Sequence, residues 1–202
     1  MTLIAVVSAK GGQGKSTLSN AIALACGGGI LTNEKHSSMD RILVGRFAKV
    51  DSESELPDVP ESVVAIFDGK AGIHEPVVES AIRRADHVLI PIRPEGPEEA
   101  KRLAWGLSEV AKMTSPERIA VVVTKATEAE FEAVRDRVGA HWKVPVFWLP
   151  NSVFFQELGD ERFGAESLHQ KAESKWQRSH LRNVVIPRLE LLLEHLHLPI
   201  FK

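Results

Sequence analysis

The feature that most constrains this chain is the string Ser8-Ala9-Lys10-Gly11-Gly12-Gln13-Gly14-Lys15-Ser16-Thr17. It follows a β-branched apolar run and opens an amphipathic stretch. Glycines at 11, 12 and 14 let the backbone curl tightly and aim successive N–H groups at one point. A helix starting at Lys15 adds its positive N-terminus to the same place. Such a loop favours phosphate. In this spacing Lys15 reaches the β- and γ-phosphates, Ser16 puts its hydroxyl on Mg²⁺, and Thr17 bonds a further phosphate. The loop needs a strand behind it and a helix after it, which points to an α/β fold.

The rest of the chain agrees. Apolar runs predict strands over Leu3–Ser8, Ile30–Asn33, Val63–Phe67, His87–Ile92, Arg118–Val123 and Val144–Leu149. Most lack polar alternation, as expected for a parallel sheet covered on both faces. Between them, Lys15–Cys26, His74–Arg84, Glu98–Met113 and Glu128–Val138 read as helices. Alternating strand and helix implies right-handed βαβ units. The expected fold is α/β, a single doubly wound, mostly parallel sheet with helices on both faces. Residues 1–202 are expected to form one domain, mainly helical from about residue 151 onward. Asp51–Glu61 carries five acids and no base, and reads as a solvated loop.

Composition removes several function classes. With 44% apolar and 26% charged residues, the chain is not intrinsically disordered. A net charge of -2 excludes a uniformly basic coat but not a segregated basic patch. Cys26 is the one cysteine, so neither an internal disulfide nor a multi-thiolate metal site can form. No apolar run reaches the roughly 18 residues that span a bilayer. Met1–Val7 reads as a first strand, not a signal peptide, and the expected compartment is a reducing cytoplasm.

The ordinary phosphate loop, Gly-x-x-x-x-Gly-Lys-Ser/Thr, would place its first glycine at position 9, which is Ala9. The variant Lys-Gly-Gly-x-Gly-Lys-Ser/Thr is complete from Lys10 to Ser16. This string resembles the deviant Walker A motif of the ParA/MinD family of ATPases. Val63-Val64-Ala65-Ile66-Phe67-Asp68-Gly69-Lys70-Ala71-Gly72 looks like that family's strand ending in Asp, with a glycine-containing switch after it. Ala85-Asp86-His87-Val88-Leu89-Ile90-Pro91-Ile92 is similar to the following strand with its terminal proline. The resemblance covers roughly residues 2 to 150. It implies a P-loop NTPase using ATP and Mg²⁺, hydrolysing slowly and stimulated by a partner. It implies an ATP-dependent homodimer in which Lys10 crosses to the other subunit's phosphates. Asp68, at a strand's carboxyl end, suits the Mg²⁺ shell through a water. Gly11, Gly12, Gln13, Gly14, Lys15, Ser16 and Thr17 would cradle the nucleotide.

Two places depart from the family pattern. Where the family has an Asp-x-Asp-Pro-like segment after its second strand, this chain has Thr32-Asn33-Glu34-Lys35-His36. Glu34 keeps a carboxylate there, one methylene longer; it either orients the attacking water or is simply solvated. The base pocket is expected near Lys125 and near Pro150 and Asn151, with Lys125 replacing the commoner asparagine. Thr124-Lys125-Ala126-Thr127 does not match a guanine-reading motif, and the resemblance favours ATP.

Between Lys171 and Arg188, five basic residues face one acid, Glu173. Lys171, Lys175, Arg178 and Arg182 are spaced 4, 3 and 4, on one helix face. Such a stripe suits duplex phosphates without sequence readout. The family resemblance implies the same: non-specific DNA binding gated by ATP, nucleoid association, and a small adaptor protein of ParB-like role. The cargo would be a plasmid, chromosome or carboxysome-like compartment. With the loop starting at residue 8, no helix-turn-helix is expected ahead of it. The leucine-rich end, Pro187–Leu198, lacks the basic face of a MinD-like membrane tail and is expected to pack on the domain. A MinD-like membrane switch, a metallochaperone-type ATPase and a small-molecule-processing ATPase stay open as alternatives. The single cysteine argues against the metallochaperone reading.

Overall fold

A computed structural model describes residues 2–34, 43, 45–152 and 178–199. Seven strands form one sheet: β1 (Thr2–Val6), β2 (Gly29–Thr32), β3 (Phe47–Lys49), β4 (Val64–Asp68), β5 (His87–Ile92), β6 (Ile119–Ala126) and β7 (Val146–Pro150). Their order is β3-β2-β4-β1-β5-β6-β7, and every pair is parallel. The helices are α1 (Lys15–Cys26), α2 (Pro76–Arg84), α3 (Pro97–Ala111), α4 (Glu128–His141) and α5 (Ile186–His195). A turn at Arg178–His180 and a π-helical stretch, Leu181–Val185, lead into α5.

Both faces of the sheet are covered, which explains the unbroken apolar strands. One core joins Ile4, Val6, Ile66, Leu89 and Val122 to α1 and to Leu189, Leu192 and Leu193 of α5. The other joins Leu3, Ala5, Phe67, Val88, Ile90 and Val121 to α2, α3 and α4. α1 is buried along almost its whole length and ends at Gly27, whose φ of 68° suits glycine. α4 opens with a capping box between Thr127 and Glu130. Among the described residues, no helix is long and apolar enough to cross a membrane.

The expected strands and helices are present; Lys15–Cys26 and His87–Ile92 have the expected bounds, and the other ends lie within three residues of expectation. β3 is the exception, a strand the sequence pattern did not predict. It is three residues long, half-buried or exposed, and gives too short a pattern to read. The acidic loop 51–61 is largely exposed, but Leu56 is buried. Its amide donates to Ser80 Oγ at 3.1 Å, and the Arg84 guanidinium donates to its carbonyl.

The chain leaves β1 in both directions along the sheet, with β4 on one side and β5 on the other. In open α/β sheets such a switch point opens a crevice at the carboxyl ends of the strands. The register pairs both Val6 and Thr32 with Asp68, and Val6 with Leu89. The residues that follow β1, β2 and β4 therefore emerge at one level.

Candidate functional site

The glycine loop stands at that level. Gly12 and Gly14 have φ of 80° and 87°, the left-handed region where side chains are disfavoured. A Cβ on Gly14 would also come within 3.2 Å of Thr124 Oγ1. The Thr124 hydroxyl donates to the Gln13 carbonyl at 3.0 Å, tying the loop to the end of β6. Ser8 Oγ donates to the Lys10 carbonyl at 2.7 Å, which fixes the loop's entry.

Below the loop, two charges are buried together. Lys15 is 5% exposed and Asp68 is 1% exposed. Burial lowers the Lys15 pKa, while the negative charges of Asp68 and Glu34 pull it back up. Burial likewise pushes Asp68 from the ordinary 3.8 up to about 6, against hydrogen bonds from Ser16 and Ser19. Ser19 Oγ lies 3.2 Å from Asp68 Oδ1, and Thr32 Oγ1 donates to the Asp68 carbonyl at 2.7 Å. Glu34 raises Asp68 further through its negative charge. Its amide donates to Thr32 Oγ1 at 3.1 Å. Lys15 and Asp68 thus partly offset one another, with burial the dominant influence on each.

The loop after Asp68 is clamped by a residue the sequence did not single out. Asn33 is buried; its side-chain carbonyl accepts the Lys70 amide at 2.7 Å and its amide donates to Glu75 Oε2 at 2.8 Å. Lys70 Nζ also pairs with Glu75 at 2.5 Å. Gln13, expected at the nucleotide, has its side chain committed elsewhere: Nε2 donates to Glu99 Oε2 at 3.2 Å, and Oε1 accepts the Arg93 amide at 2.7 Å. Lys10, expected to point across to another subunit, lies 2.7 Å from Glu99 Oε1 of its own chain.

Beside the loop, Gly14, Thr17, Leu18, Thr124, Lys125, Leu149 and Pro150 line a small, mainly apolar cleft. Lys125 takes φ of 53° at an irregularity in the β6–β7 register, which turns it off the strand. Asn151 is exposed and does not line the cleft. Trp148 secures the end of β7: its Nε1 donates to the Ala126 carbonyl at 3.1 Å, and Arg188 lies 4.3 Å over its ring. Of the basic stripe, Lys171, Lys175 and the Arg178 side chain lie outside the described residues; Arg182 is exposed.

No family model matches the chain, and no curated protein matches it by sequence. Solved structures match by shape, and what they share with the chain is the fold, one parallel sheet covered by helices. A Cyanothece McdA variant in complex with ATP superposes with a TM-score of 0.64 at 13% identity, covering 100% of this chain and 98% of that one. The cell division ATPase MinD of Pyrococcus furiosus gives 0.59 at 18% identity, covering 95% and 99%. A ParA family ATPase from Chlorobium tepidum gives 0.53 at 14%, covering 86% and 93%. The chain has the fold of ParA- and MinD-type ATPases, as its sequence resemblance implied.

Proposed function

We propose that the chain is a ParA-like ATPase. It dimerises around ATP and Mg²⁺, binds DNA without sequence preference, and positions or segregates a cargo through partner-stimulated hydrolysis. The observation that carries this reading is the buried Lys15–Asp68 pair beneath a left-handed glycine loop. A solvated loop would have no need of either charge at that depth.

In this reading the amides of Gly11 to Ser16 cradle the phosphates, and Lys15 neutralises the β- and γ-phosphate charge. The Ser16 hydroxyl and the Asp68 carboxylate form an all-oxygen donor set, which fits Mg²⁺, with Asp68 acting through a water. The ion, when bound, would spread the charge building between the β- and γ-oxygens. Glu34 accepts a hydrogen bond from the attacking water and orients it. The water oxygen forms the new bond to the γ-phosphorus as the bond to the β–γ bridging oxygen breaks. The water protons pass to solvent and phosphate, leaving ADP and inorganic phosphate. Lys125 and Pro150 hold the base. Lys10 acts on the partner subunit's phosphates, and the stripe Lys171, Lys175, Arg178 and Arg182 lies along DNA. The working location is the nucleoid in the cytoplasm, with an adaptor of ParB-like role. The apolar face of α5 is buried in the protein core, which speaks against its use as a membrane tail.

A DNA titration with ATP, with ADP and without nucleotide, read alongside molar mass by light scattering, tests this. A dimer retained on arbitrary DNA only with ATP, and lost in Lys15→Ala, is expected. A monomer that ignores both ATP and DNA would overturn the reading. ATP-dependent pelleting with liposomes would redirect it to a membrane switch.

A further inference from the structure

We propose that Glu99 is a positioning residue that latches Lys10 within its own chain and thereby sets how readily the ATP-bound dimer forms. The inference rests on the reading above, in which Lys10 serves a second subunit. Lys10 Nζ is 2.7 Å from Glu99 Oε1 and 3.9 Å from Glu95 Oε2. Glu99 is itself buried, in the first turn of α3, where the helix N-terminus favours its ionised form. A lysine held this way is withdrawn from any second chain, and it must leave Glu99 before it can reach one.

Release would be prohibitive if it orphaned a buried carboxylate. Here it does not. Gln13 Nε2 still donates to Oε2 at 3.2 Å, and Arg102 Nη1 still lies 3.2 Å from Oε1. Gln13 in turn holds the Arg93 amide, so the carboxylate stays anchored between the loop and the start of α3. The Lys10 side chain is 40% exposed, so the pair it leaves is weak enough to break. Glu99 therefore opposes dimerisation by a modest, fixed amount, and Arg102 lowers that amount by standing in for Lys10. The two residues should act in opposite directions, which a brace that merely stabilises the fold would not do.

Sedimentation equilibrium with a non-hydrolysable ATP analogue and Mg²⁺ reads the dimer directly. Glu99→Gln offers one acceptor oxygen and no charge. Breaking a pair of this exposure is worth roughly fivefold, so a symmetric dimer that opens two should tighten on the order of twentyfold. Arg102→Ala should weaken the dimer several-fold. In a Lys10→Ala background, Glu99→Gln should change nothing further. Without nucleotide, Lys10 should be acylated by an activated ester several-fold faster in Glu99→Gln than in the parent, read by mass spectrometry. Should Glu99→Gln melt too low to use, Glu99→Asp shortens the carboxylate and is expected to shift both readouts the same way. If Lys10→Ala loses the dimer yet Glu99→Gln dimerises no better than the parent, the latch is wrong and the role of Lys10 survives. If Lys10→Ala dimerises like the parent, the role of Lys10 fails and takes the latch with it.

Discussion

Asp68 carries two opposed demands. Its folded pKa of about 6 exceeds the ordinary 3.8, chiefly through burial. The folded protein therefore holds that proton more tightly than the unfolded chain. The resulting stabilisation is fully present below about pH 4 and is lost as pH rises through about 6. At pH 8 the ionised carboxylate costs roughly 2–3 kcal/mol in the nucleotide-free protein. Asp68→Asn keeps an acceptor for Ser16 and Ser19 without the charge. It should melt about 5–8 °C higher at pH 8, with the gain vanishing near pH 4, while losing Mg²⁺-dependent nucleotide binding; thermal melts across pH check this. Glu34→Gln keeps size and weakens the acceptor that the proposed mechanism uses to orient water. We expect kcat about tenfold to hundredfold lower with KM little changed, and an unchanged kcat would make Glu34 a solvated side chain. At this scale the phosphate loop was readable because its residues are contiguous. Asn33, Glu99 and Thr124 were not, because their partners stand 37, 89 and 111 positions away and carry no local pattern.

Elements were legible in proportion to how completely the fold buries them. β1, β4 and β5 read clearly because both of their faces are covered, whereas β3 pairs only at the sheet's edge and left no pattern. The last helix is the informative intermediate case. Its six leucines between 189 and 198 are too dense to show which of them are buried, although the missing basic face favours packing over a membrane surface. The structure separates them: Leu192 is 0% exposed in the α1-side core, while Leu191 is 58% exposed. Leu192→Ala should cost about 2–5 kcal/mol through the cavity it leaves. Leu191→Ala should stay within about 0.5 kcal/mol. Urea denaturation of the two variants measures both. Near-equal losses would mean that α5 does not seat its apolar face on the sheet.

For the whole molecule, the near-zero total charge conceals where charge is needed. The acidic 51–61 loop and the basic 171–188 stretch sit at different points along a chain of net -2. One subunit offers four stripe cations, Lys171, Lys175, Arg178 and Arg182. Each phosphate neutralised contributes a slope of about -0.9 to log K against log salt, so one subunit gives roughly -3.6 and an ATP dimer roughly -7. On the proposed reading, dimerisation would turn a weak contact into a firm one without any new residue, because the second stripe would bind at high effective concentration. Between 50 and 200 mM salt the dimer's DNA affinity should fall by about 10⁴. Lys175→Glu with Arg178→Glu removes two of the four contacts in each subunit and adds repulsion. Its slope should drop to roughly half, with far weaker binding at every salt, while ATP-dependent dimerisation is retained. Fluorescence anisotropy on an arbitrary duplex, at four salt concentrations and with ATP throughout, gives both slopes. An unchanged slope in the double variant would place the DNA contact on another surface, and would leave the nucleotide cycle with a different output.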